Sequence, residues 1–207
     1  MARPNRIPLF PLDVVLLPGA ELPLHIFEPR YKRMIGRCLE EKLEFGMILA
    51  SHQSVAAVGC TAEILRKIRD YPDGRMDILT TGRAVFQLTE LLNEEQYYEG
   101  VVEYLSDSPY APDAEQHAQL VQLFETCHAL LFGKSWEPDP QASEETLSYR
   151  LAALLPVELE KRQALLESRS ERDRRETVLR WLERFVPKLI AQQRTRERAG
   201  GNGHGPH

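Results

Sequence analysis

The stretch IPLFPLDVVLLPGAELPLHIFEPRY, residues 7–31, is strongly apolar yet carries five of the chain's fourteen prolines. Each proline removes a backbone N–H and fits poorly inside a sheet. One long central strand is therefore excluded. Prolines suit strand starts, edges and turns, so the stretch reads as short extended pieces at 7–10, 13–17 and 21–27. Pro8, Pro11 and Pro18-Gly19 punctuate them.

The period then changes. Tyr31, Met34, Ile35, Cys38 and Leu39 recur at helical spacing, which predicts a helix over 29–42. Pro29 fits its first position, where a missing N–H costs nothing. Residues 44–50 return to strand. Residues 58–105 read as a meander, with Asp73-Gly74 as a hairpin signal, further runs at 83–89 and 98–105, and bends at Gly82 and Asn93.

Beyond residue 108 the pattern is helical. Leu120, Leu123, Phe124, Cys127, Leu130 and Leu131 form an apolar stripe over 113–132. Helices are expected at 146–155, from Pro156 onward, and from about 170 to 194, the last kinked by Pro187. The expected class is α+β. About six strands with one inserted helix occupy 1–108, a helical bundle occupies 109–194, and a disordered tail covers 195–207.

Hydrophobic residues make up 43% of the 207 and charged residues 28%, an ordinary globular balance. No apolar run approaches the roughly twenty residues that a membrane helix needs. The first residues, MARPNRIPLF, lack the long apolar core and small-residue cleavage site of a signal peptide. Cys38, Cys60 and Cys127 are scattered and form no CxxC, so three reduced thiols in a cytoplasmic protein are expected.

Catalytic constellations are sparse. Cys127 and His128 are adjacent, but helical neighbours point about 100° apart, and Cys127 lies on the apolar stripe. His25, His52, His117 and His128 show no metal-ligand spacing, while His204 and His207 fall in the tail. HALLFGKS, residues 128–135, approximates a phosphate-binding loop but has His128 where glycine is needed. No catalytic residue, metal or cofactor is expected. Residues 169–198 carry ten Lys/Arg against five Asp/Glu, which raises nucleic-acid binding as the alternative. Glu171, Asp173, Glu176 and Glu183 interleave with these cations, a pattern that equally suits a solvated helix face.

Three blocks carry a family resemblance. PLFPLDVVLLPGAELPLHIFEPRYKRMI resembles the opening signature of the Lon-protease N-terminal, substrate-binding domain. FGMIL, VGCTAEI and DGRMDILTTGRAVFQL resemble its middle, and SYRLAALLPVELEKRQALLE its helical half. The resemblance spans roughly residues 6–190. It implies a partly closed, PUA-like β-structure followed by a helical bundle, and because PUA-like barrels include RNA binders, the alternative is RNA binding through the barrel and the basic C-terminal helix. It also points to a stand-alone form without ATPase or peptidase modules. The implied activity is non-catalytic binding of unfolded or degron-bearing polypeptide, or docking on an ATP-dependent protease or chaperone. A homo-oligomer is left open.

The expected polypeptide-binding surface comprises His25, Phe27, Glu28, Arg30, Tyr31 and Arg33. It combines broken strand edges, several apolar side chains and a basic helix start.

Overall fold

The computed structural model describes residues 3–51, 54–93, 97–139 and 143–201. Its strands are β1 (Arg6–Leu12), β2 (Glu21–Ile26), β3 (Phe45–Ser51), β4 (Ser54–Asp70), β5 (Met76–Leu92) and β6 (Glu99–Tyr104). Its helices are α1 (Pro29–Glu41), α2 (Ala114–Phe132), α3 (Leu147–Leu154), α4 (Leu159–Glu167) and α5 (Glu171–Gly201). The class is α+β, as the sequence predicts.

Five strands close into a ring. β1 pairs with β3 in parallel, and β3–β4, β4–β5, β5–β6 and β6–β1 all pair antiparallel. The parallel pair needs a long crossover, which β2 and α1 supply. Ring closure removes the edges that an open sheet would expose. Ile7, Leu9, Ile48, Phe86 and Val102 fill the inside. A Cβ at Gly59 would stand 2.4 Å from Phe86 Cζ, so the bare backbone there admits the ring of Phe86.

β4 and β5 are both longer than the ring requires. Beyond it they continue as a hairpin with its tip at Tyr71–Arg75, where Gly74 adopts φ 79° and its N–H donates to Tyr71 O at 2.9 Å. β2 lies along the first half of β5, from Glu21 opposite Thr81 to Ile26 opposite Met76. This three-stranded arm, β2–β5–β4, projects from the ring and frames the candidate site.

Several expectations on extent need correction. Residues 13–17 form no strand, although Val15, Leu16 and Leu17 are buried. Their segment leads to Gly82: Gly19 N donates to Gly82 O, and Gly82 N donates to Ala20 O, both at 2.9 Å. Gly82 is accordingly no bend. It sits inside one continuous β5, and a Cβ there would lie 2.2 Å from Leu17 O. The glycine marks a close backbone approach. Pro156 does not open a helix either. α3 ends at Leu154, since a residue before proline is steered out of the helical region, and α4 begins at Leu159 after an extended Glu158.

α1 starts with proline, as predicted, and ends at Lys42 in the left-handed conformation. Its Tyr31, Met34, Ile35 and Cys38 are buried on one face.

The chain divides into two compact units. The first is 1–108 with 155–169; the second is 109–154 with 170–207. α4 therefore belongs with the strands: Gln163 Nε2 donates to Val58 O at 3.0 Å. The second unit holds α2, α3 and α5. Asp113 caps α2 by accepting from Glu115 N and Gln116 N. Leu120, Phe124, Cys127, Val178 and Leu182 are buried. Among them sits a charged cluster. Glu171 accepts from Arg174 at 2.8 Å and Arg175 at 2.7 Å, and from Ser148 Oγ at 2.5 Å. α5 continues past the expected end at Arg194 to Gly201, and residues 202–207 lie outside the described residues.

Candidate functional site

β2 leads straight into α1, and the alternation of the strand decides which side chains meet solvent. Leu22 and Leu24 are half-buried and Ile26 fully buried, while Pro23, His25 and Phe27 face outward. Phe27 is 59% exposed, an unusual position for a large aromatic. Its ring stacks on His25 with centroids 5.9 Å apart and planes at 22°.

His25 is held from the neighbouring strand. Register places it opposite Asp77. Its Nδ1 lies 2.5 Å from Asp77 Oδ1, with Nδ1–H as donor to the carboxylate. The Tyr71 hydroxyl donates to the other oxygen at 2.9 Å, and the Tyr71 ring meets the imidazole edge-on. These two hydrogen bonds, from His25 first and Tyr71 second, hold the Asp77 carboxyl below its ordinary range. The arrangement fixes the imidazole as a platform for Phe27.

Beside this platform lies a notch of about 190 Å³. It is lined by Phe10 and Leu12 of β1, Leu24 and Ile26 of β2, and Phe27 and Tyr31, with His25 and Glu28 at its margin. Tyr31 packs against Phe10 with ring centroids 4.1 Å apart and planes tilted by 35°, and is only 4% exposed. Burial pushes its phenol upward. Arg30 lies over the Tyr31 ring at 4.6 Å and pairs with Glu28 at 2.8 Å. Lys32 reaches the hairpin tip, donating to Asp73 O at 2.9 Å.

Of the six residues expected at a binding surface, His25, Phe27, Glu28 and Tyr31 thus line one notch. Arg30 covers its rim. Arg33 is exposed on α1 and lies outside the notch lining. Tyr71 and Asp77 belong to no ligand-binding motif in the sequence. Their signal was the hairpin itself: Asp73-Gly74 brings the two flanking runs into register, so polar and aromatic residues on either side meet across it.

A larger hollow, about 290 Å³, lies at Arg6, Arg37, Glu44 and Glu99. Its guanidiniums are already paired with the buried Glu99, Arg6 at 2.5 Å and Arg37 at 2.9 Å. It is a weaker place for a ligand because its charges satisfy one another.

The other candidates resolve on geometry. Cys127 is buried, desolvation raises its thiol, and the neighbouring His128 Nδ1 lies 3.0 Å from Lys134 O. Nothing there favours a thiolate. Cys38 and Cys60 are buried and pushed up to about 12. Among the described residues no group of three or more His, Cys, Asp or Glu could hold a metal ion, and His52 lies outside them. In the basic segment, Arg174 and Arg175 are fully buried on Glu171 and unavailable to a polyanion. No helix among the described residues is long and apolar enough to cross a membrane.

Comparison with known proteins places the chain in a family. Residues 6–184 match the ATP-dependent protease La (LON) substrate-binding domain. The Lon protease of Parabacteroides distasonis is 28% identical over 144 residues, covering 65% of this chain and 17% of that protein. The Lon protease of Escherichia coli K12 is 27% identical, covering 93% of this chain and 26% of that protein. The chain thus spans about a quarter or less of the curated relatives it matches. A crystal structure of a Lon N-terminal domain protein from Xanthomonas campestris superposes with a TM-score of 0.68 at 27% identity, over 85% of this chain and 98% of that one. The N-terminal domain of Mycobacterium avium complex Lon protease shares the fold, with a TM-score of 0.64 at 15% identity. The chain belongs to the Lon substrate-binding domain family.

Proposed function

We propose that this chain is a non-catalytic module that binds unfolded or degron-bearing polypeptide, with the notch between β1, β2 and α1 as its anchor point. The observation that carries the reading is Phe27, 59% exposed beside a notch with apolar walls. A volume near 190 Å³ suits one large side chain; an apolar cavity of about 150 Å³ holds a benzene ring. Burying such a side chain contributes about 1.5–3 kcal/mol. Glu28 and the Arg30 paired with it supply the polar rim, Arg33 adds a further positive charge on the exposed face of α1, and no covalent step is involved. Membership of a substrate-binding family supports the polypeptide as ligand. Delivery of the bound chain to an ATP-dependent protease or chaperone is the corresponding role.

The test is fluorescence anisotropy with labelled casein as an unfolded chain. The Arg30→Glu/Arg33→Glu double variant is expected to bind more weakly while keeping the wild-type circular dichroism and melting curve. Equal affinity in a folded variant contradicts the assignment of this rim.

A further inference from the structure

The arm has two edges, and they differ. The β2 edge is interrupted by Pro23, which carries no N–H. The β4 edge is not. β3 pairs with β4 only as far as Ala62 opposite Phe45, so residues 63–70 have no strand on that side among the described residues. Residues 65–70 are all exposed.

This edge has an unusual make-up. Within residues 63–70 the β4–β5 register slips twice, between Ile64 and Arg66 and between Lys67 and Arg69. The unpaired residues at these bulges are Leu65 and Ile68, which are 43% and 47% exposed. Bulges twist an edge and discourage promiscuous pairing, but that role does not require apolar residues in them. Between and beside them stand Arg66, Lys67 and Arg69. Lys67 pairs with Asp70 at 3.1 Å and Arg69 lies over the Tyr71 ring at 4.7 Å.

Charge selects the occupant. A second copy paired antiparallel about the middle of this stretch would set Arg66 against Lys67 and Glu63 against Asp70. Like charges directly opposite are destabilising. A strand with acidic residues flanking apolar ones would instead meet cations at Arg66 and Arg69 and grip at Leu65 and Ile68.

We propose that the open β4 edge, residues 63–70, is a docking strand for an extended polypeptide segment that alternates acidic and apolar residues. It adds a strand to the arm by main-chain hydrogen bonding, as edge-strand recognition does elsewhere. The inference rests on the polypeptide-binding reading and adds a second surface, separate from the notch, with its own chemistry.

The experiment uses short fluorescein-labelled peptides. One alternates Glu with Val and Leu; a second has Lys in place of Glu; a third is the acidic peptide with alternate backbone nitrogens methylated. The acidic peptide should bind at least about tenfold more tightly than the basic one, two reversed cross-strand pairs being enough for that factor. Backbone methylation should abolish binding. Arg66→Glu/Arg69→Glu should invert the charge preference. Equal affinity for acidic and basic peptides, or insensitivity to methylation, overturns the proposal. So does tighter binding of poly(U) than of the acidic peptide. Loss of peptide binding in the Arg30/Arg33 variant alone overturns the β4 edge and leaves the notch standing.

Discussion

The closed ring and the projecting arm belong to one compact unit, yet they treat apolar surface in opposite ways. Inside the ring, Ile7, Leu9 and Phe86 are at most 1% exposed, and every strand has a partner on both sides; Val55 and Leu91, 37% and 46% exposed on ring strands, each pair with a neighbouring strand. On the arm and its junction with α1, Phe27, Leu65 and Ile68 are 43–59% exposed, and an edge of β4 is open. The difference teaches a division of labour. Stability is concentrated where the sheet closes on itself, and the groups suited to grip another chain sit where it does not.

The largest effect should come from breaking the ring. Phe86→Ala removes a fully buried aromatic lodged over Gly59, and is expected to cost about 3–5 kcal/mol. Urea denaturation followed by circular dichroism measures it. A loss below about 1 kcal/mol would mean that the ring does not carry the stability assigned to it.

The matching experiment on the arm should leave stability alone. Phe27→Ser is expected to shift the unfolding free energy by no more than about 0.5 kcal/mol, while weakening casein binding by about tenfold through loss of apolar contact. Destabilisation as large as that of Phe86→Ala would erase the contrast between the two regions.

The smallest expected effect is acidic. The folded-state pKa of Asp77 is depressed by His25 and Tyr71. Its stabilising contribution is therefore fully present above its ordinary value of 3.8 and is lost as pH falls through the lower folded value. Asp77→Asn should be slightly less stable than the wild type at neutral pH, and the gap should close in strong acid. Paired melting curves across that range check it; a gap that widens in acid would contradict the sign.

The same division governs what could be read from the sequence. Helix α1 was legible because its burial follows a 3.6-residue period and Pro29 marks its start. The hairpin was legible because Asp73-Gly74 is a local signal. The continuity of β5 was not, because Gly82 looks like punctuation until Leu17 is seen against it. Such a close approach depends on residues 65 positions apart, which no local pattern encodes. The open β4 edge was hidden for a similar reason: bulges at Leu65 and Ile68 exist only relative to β5. Within the candidate site, His25, Phe27 and Tyr31 lie on one short segment and could be found together. Their partners Asp77 and Tyr71 required the register. In the second unit, the alternation of arginine and glutamate on α5 suggested a solvated face, whereas Glu171, Arg174 and Arg175 are buried as a cluster with Ser148.

The central claim, that polypeptide is gripped at the notch, is most directly tested by amide hydrogen exchange with and without saturating casein. The account predicts new protection confined to the arm and its junction with α1, centred on residues 24–33, with the ring strands unchanged. Protection appearing instead on α5, or nowhere, would contradict it.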